Sequence, residues 1–168
     1  DPASPEDLKI TLAQLIQVTK ATASLQMVTG TTVINTSAGS PEPITADWQS
    51  PAALIWLCGA DPTDGRTIPL FDGSYRMMVT MVCEATNASL WNIKPYVNGA
   101  VVANPFPVIK GAGLAGDQIT VNAHWPLKLS ANDEVQLAVE PVSGGPADFL
   151  PVDVTYSLEL IAPNGAMP

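Results

Sequence analysis

His124, followed by Trp125 and Pro126, is the single histidine of the chain, and Cys58 and Cys83 are its only cysteines. A histidine that works as a general base needs a nucleophile to activate and an acid to orient it, and no local motif around His124 supplies either. By alternation it lies opposite Val121 and Ala123, on the more polar face of its run, which suits a surface or interface histidine. Neither cysteine has a second ligand at the spacing a metal site requires. Both sit in apolar runs and read as buried thiols, with a disulfide between two strands as the alternative. Asp61-Pro62-Thr63-Asp64-Gly65-Arg66 offers two carboxylates to a cation. It lacks the other acidic ligands of a calcium loop, and Pro62 with Asp64-Gly65 is ordinary turn chemistry. The run from Gly111 to Gly116 contains G-x-G-x-x-G, but a strand-like pattern at 118–123 follows where a dinucleotide-binding turn would open a helix. No catalytic residue, cofactor or metal is expected. Trp48 and Trp125 are the candidates for a binding surface, because Trp56 and Trp91 fall at core positions of their runs.

The charge balance narrows the partners. Sixteen acidic residues stand against seven basic ones, a formal net charge of −9, and no Lys/Arg cluster exists to meet a phosphate backbone. Nucleic acid is excluded on that ground, and an anionic membrane surface would repel the chain. No apolar run reaches the roughly 18 residues that span a bilayer. Only 14% of residues are charged while 46% are hydrophobic, a balance that suits either burial against other subunits or a β-rich exterior of Ser, Thr, Asn and Gln. Asp1 is compatible with proteolytic maturation, a removed leader or an artificially trimmed end.

The elements that must hold these residues are mostly strands. In 75–83 the odd positions Tyr75, Met77, Val79, Met81 and Cys83 are apolar or aromatic, and Arg76, Thr80 and Glu84 are polar. Similar alternation runs through Trp91–Val97, Ile119–Ala123, Val135–Val139 and Val154–Leu160, with Pro and Gly between the runs. Such spacing is the signature of an antiparallel sandwich or barrel. Tyr75, Met77, Val79, Met81, Trp91, Val135, Leu137, Tyr156 and Leu158 are expected in one core. Ala53 to Cys58 is apolar on both faces, and strand 75–83 carries Met78 and Val82 on its otherwise polar side, so both need a second cover.

The first segment differs. Ser4-Pro5-Glu6-Asp7 is a helix-start signature, and Leu8, Leu12, Leu15 and Ile16 follow at helical spacing. The spacing predicts a helix over 5–25, although its β-branched content opposes one and Leu8, Ile10 and Leu12 also fit strand alternation. Residues 36–51, with Ser40-Pro41-Glu42-Pro43, read as a linker or long loop. The expected division is therefore an N-terminal anchor or stalk with its linker over 1–50 and a head over 51–168.

Four stretches carry a family resemblance. Phe71-Asp72-Gly73-Ser74-Tyr75-Arg76-Met77-Met78-Val79 looks like a turn-Gly-x-Tyr strand entering a core. Trp91-Asn92-Ile93-Lys94-Pro95-Tyr96-Val97-Asn98-Gly99 ends in the same Asn-Gly turn, and Leu127 to Leu137 follows a strand–turn–strand pattern before the closing strand Val154 to Ile161. In their order, these pieces over 69–162 resemble the complement-type and tumour-necrosis-factor-like jelly-roll heads. Asn132 stands where that family usually has Gly, and 52–58 matches poorly. The resemblance implies an all-β antiparallel jelly-roll sandwich, a homotrimer around a threefold axis and a non-enzymatic recognition role. Similar heads occur as viral and phage spikes, head fibres and capsid decorations attached through an N-terminal segment. The expectation is a virion protein that meets other capsid proteins through 1–50 and a host receptor or glycan through its head. The alternative is a secreted, extracellular carbohydrate-binding module or adhesin. Met78, Val82, Leu8, Leu12 and Leu15 are the interface candidates.

Overall fold

Residues 22–49, 58–85, 90–103, 108–110 and 117–163 are described by a computed structural model, and among them every regular element is a strand. One sheet is built from β1 (Thr22–Met27), β2 (Ile34–Thr36), β4 (Trp48–Gln49), β7 (Gly73–Ala85), β11 (Ile119–Leu129) and β13 (Ala147–Pro163), in the order β11-β7-β13-β1-β4 with β2 also on β13. The second is built from β3 (Glu42–Pro43), β5 (Cys58–Asp61), β6 (Arg66–Pro69), β8 (Leu90–Val97), β9 (Ala100–Val101), β10 (Val108–Lys110) and β12 (Val135–Pro141). Its order is β10-β8-β12-β6-β5, with β3 on β12 and β9 on β8. The pairings of the long strands are antiparallel. From β7 to β8 and from β11 through β12 to β13 the chain changes sheet at each step, so strands adjacent in sequence face one another across the core. That crossing pattern is a jelly roll.

Period-two sequence becomes a packed interior directly. Tyr75, Met77, Val79, Met81 and Cys83 on β7 point inward, and Val154, Tyr156, Leu158 and Leu160 do the same on β13. Trp91, Ile93, Val135, Leu137 and Val139 face them from the other sheet, and Trp91 lies 5.1 Å from Phe149 ring to ring. All nine residues expected in one core are in it. The sheets are also tied by a polar bridge: the buried Tyr156 hydroxyl donates to the Val135 carbonyl at 2.9 Å and hydrogen-bonds the Thr67 hydroxyl. Burial pushes the pKa of this phenol up, so it stays a neutral donor at any ordinary pH.

Turn chemistry fits the chain. Asn98 and Gly99 take φ values of 51° and 79°, the left-handed pair a tight hairpin needs between β8 and β9. Asn132 also sits at positive φ, 69°, which explains how Asn serves where the resembled heads have Gly: its short polar side chain tolerates that region.

Two expectations fail at the N-terminal end. Residues 22–27, which overlap the end of the helix expected over 5–25, form β1, which pairs with β13 over six residues from Thr22↔Glu159 to Met27↔Val154. Ala23, Leu25 and Met27 are buried on the core side, a period of two that a helix would scatter. The expected linker 36–51 contributes β3 to one sheet and β4 to the other, and Ile44 and Trp48 belong to the core. The boundary at 50/51 therefore does not divide the domain: the sandwich includes β1 to β4. Residues 5–21, with Leu8, Leu12 and Leu15, and 51–57 lie outside the described residues.

Cys58 and Cys83 are buried free thiols. Burial pushes Cys58 up to about 11 and Cys83 up to about 12, so almost no thiolate exists at neutral pH. Alkylation at about pH 8 is expected to run more than ~100-fold slower in the native protein than in the denatured chain. A stopped-flow thiol titration with and without urea measures this, and rapid labelling of either thiol in the native state would contradict the buried placement.

Candidate assembly face

With odd residues of β7 turned into the core, its even residues face outward, and the register of the neighbouring strands builds a continuous surface around them. Two rows cross four strands. His124, Met78, Ser157 and Ser24 lie side by side in one, and Asn122, Thr80, Thr155 and Gln26 in the next. Above them Pro126, Arg76, Glu159 and Thr22 form a third row, and below them Thr120, Val82 and Asp153 a fourth. Met78 and Val82 are half-buried and Asn122, His124 and Thr80 are exposed, whereas Ser24 at the β1 end is buried, its hydroxyl donating to the Tyr156 carbonyl at 3.3 Å.

Electrostatics sort these rows. Arg76 and Glu159, directly opposed on β7 and β13, form an ion pair. Asp153 accepts the Thr29 amide at 3.1 Å. The Thr80 hydroxyl donates to the Asn122 side-chain carbonyl at 2.9 Å. The two middle rows thus carry hydroxyls, amides, one thioether and one imidazole, with no carboxylate, ammonium or guanidinium. A depression of about 310 Å³ opens between β7 and β11, lined by Arg76, Met78, Thr80, Asn122, Ala123 and His124. β11 ends the sheet order, so its outer edge has no strand partner among the described residues.

Of the residues singled out from sequence, Met78 and Val82 lie on this face. Trp48 and Trp125 do not form a binding surface. Trp125 is 2% exposed on the core side of β11, and Trp48 is 6% exposed, donating its indole N–H to the Ile44 carbonyl at 2.7 Å and meeting Tyr156 edge-on. The alternation that places His124 outward already places Trp125 inward. Trp48 lies in a two-residue strand with no period to read. The residues that sequence reasoning passed over are Ser24, Asn122, Thr155 and Ser157. Asn122, Thr155 and Ser157 belong to polar faces visible in their own runs, Ser24 falls in the segment expected to be helical, and only the strand register makes the four neighbours.

The other candidate chemistries are occupied by structure. Arg66 reaches Asp61 at 3.2 Å, Asp64 at 2.6 Å and Glu134 at 2.9 Å, so the acidic loop is organised around a guanidinium. The Asp61 carboxyl accepts the Thr63 amide, the main cause holding its pKa below the usual range. Among the described residues no three His, Cys, Asp or Glu side chains are grouped to hold a metal ion.

A two-sheet jelly roll with two uncharged rows across one outer face is the class of protein this geometry defines. Solved structures that share that fold include the Eiger TNF of S. frugiperda, at 13% identity and a TM-score of 0.50 over 89% of this chain and 97% of that one, and the globular domain of the zebrafish complement 1qA protein, at 15% identity and a TM-score of 0.55 over 86% and 99%. No protein-family model and no curated protein matches the sequence.

Proposed function

We propose that this chain is a non-enzymatic head that assembles as a homotrimer through the outer face of the β11-β7-β13-β1 sheet and serves recognition as a structural component of a viral or phage particle. The observation that supports it most is the pair of middle rows: eight adjacent positions without a permanent charge on a chain whose net charge is −9. Interface cores are depleted of charge in this way, and a solvated face of so acidic a chain has no reason to be. A half-buried Met78 at the centre adds an apolar contact, and the unpaired edge of β11 gains cover from a neighbouring copy. The choice of three copies follows the likeness to the jelly-roll heads, which assemble around a threefold axis. A virion setting suits the scarcity of charge and the N-terminal segment as the part that meets other capsid proteins, leaving the loop ends for a host receptor or glycan.

The test of assembly is direct. The purified chain is expected to scatter light as a multiple of its 17.6 kDa mass at micromolar concentration. Met78→Asp would place an unpaired carboxylate in the closed contact and is expected to release single chains with an unchanged β circular-dichroism spectrum. A wild-type mass of one chain at that concentration would refute the trimer. The virion setting is checked by whether the protein co-purifies with particles.

A further inference from the structure

Every position of the two uncharged rows is permanently neutral except one. His124 occupies the row of Met78, Ser157 and Ser24 and lines the depression between β7 and β11, and it is the only histidine in the chain. We infer that His124 makes assembly pH-dependent, with a neutral imidazole permitting the contact and an imidazolium opposing it. This rests on the proposed burial of that face against a second copy.

The surrounding charges set the sign. On β7 the nearest is Arg76, one row away, and its guanidinium is engaged with Glu159 of β13. Lys128 follows on β11 itself, two rows from His124. On the other side Asp153 of β13 lies two rows away, held by the Thr29 amide, and Glu84 of β7 lies three rows away. No carboxylate in the rows that hold or adjoin His124 is unengaged, so an imidazolium there would find Arg76 as its nearest charge and no ready counterion. Burying that cation costs more than burying the neutral ring. Imidazoles change charge in the physiological range, so the cost appears under mild acid. The assembled state then binds fewer protons than separated chains. Association is strongest with the ring neutral, and as pH falls each subunit loses about tenfold in association per pH unit once its ring protonates when free.

Sedimentation velocity at about pH 8 and about pH 5.5, at matched ionic strength, reads the effect. The wild-type chain is expected to be assembled at the higher pH and dissociated yet folded at the lower. In His124→Gln the association constants at the two pH values should agree within about threefold, whatever their absolute size. A His124→Gln assembly that falls apart in acid as the wild type does would assign the effect to carboxylates and overturn the inference. So would a wild-type assembly indifferent to pH. Single chains at both pH values would fail the assembly reading itself, a distinguishable result.

Discussion

A chain that begins at residue 50 is expected not to fold, while one that begins at Thr22 is expected to keep a cooperative transition. The first loses β1 to β4, and with them Leu25, Met27, Ile44 and Trp48 from the core. At about 1.5–3 kcal/mol for each fully buried large side chain, those four are worth roughly 6–12 kcal/mol. That sum matches the whole stability of an ordinary domain, about 5–15 kcal/mol. The loss also strips β13 of its pairing with β1 over Thr22–Met27, exposing backbone groups beside Tyr156 and Leu158. Urea denaturation followed by circular dichroism separates the outcomes. A cooperative transition in the 50–168 chain, with the wild-type midpoint, would show that β1 to β4 are dispensable.

Lys94→Ala is expected to cost about 3–5 kcal/mol, among the largest effects of any single substitution. Lys94 and Glu140 are each 8% exposed and form an ion pair diagonally across β8 and β12, beside the fully buried Ala138. Removing the lysine takes from a buried carboxylate its ion-pair partner, and burying a charge without its partner is what carries the cost. Replacing both members, as Lys94→Met with Glu140→Leu, removes the charge problem along with the attraction, and is expected to recover most of the loss. A double-mutant cycle in urea gives the coupling between them. If each single substitution costs less than about 1 kcal/mol, the pair is behaving as a solvated surface bridge.

The inward and outward faces of β7, β12 and β13 were legible in the chain. Tyr75 to Cys83, Val135 to Val139 and Val154 to Leu160 each place a large apolar residue at every second position, although Met78, Val82 and Ala138 interrupt the other face, and a pleated strand with that side in a core satisfies the pattern in one way. The Asn98-Gly99 hairpin was equally legible, because so few residue pairs accept left-handed backbone at both positions. β1 was not. Ala23, Leu25 and Met27 follow a helix-start signature and a helical leucine spacing upstream, and local preference favours neither state strongly. Pairing with β13, more than 120 residues away in the chain, decides it.

The assembly face has the same origin. His124, Met78, Ser157 and Ser24 come from four strands spread over most of the chain; the first three runs show only which way their own residue faces, and the run of Ser24 does not show even that. Alternation is a property of a few consecutive residues, so it is written in the sequence and fixes which side chains are inside. Which strand lies beside which, and in what register, depends on contacts between distant segments. Only the tertiary structure therefore decided that these residues form one uncharged row with a single titratable group at its β11 end.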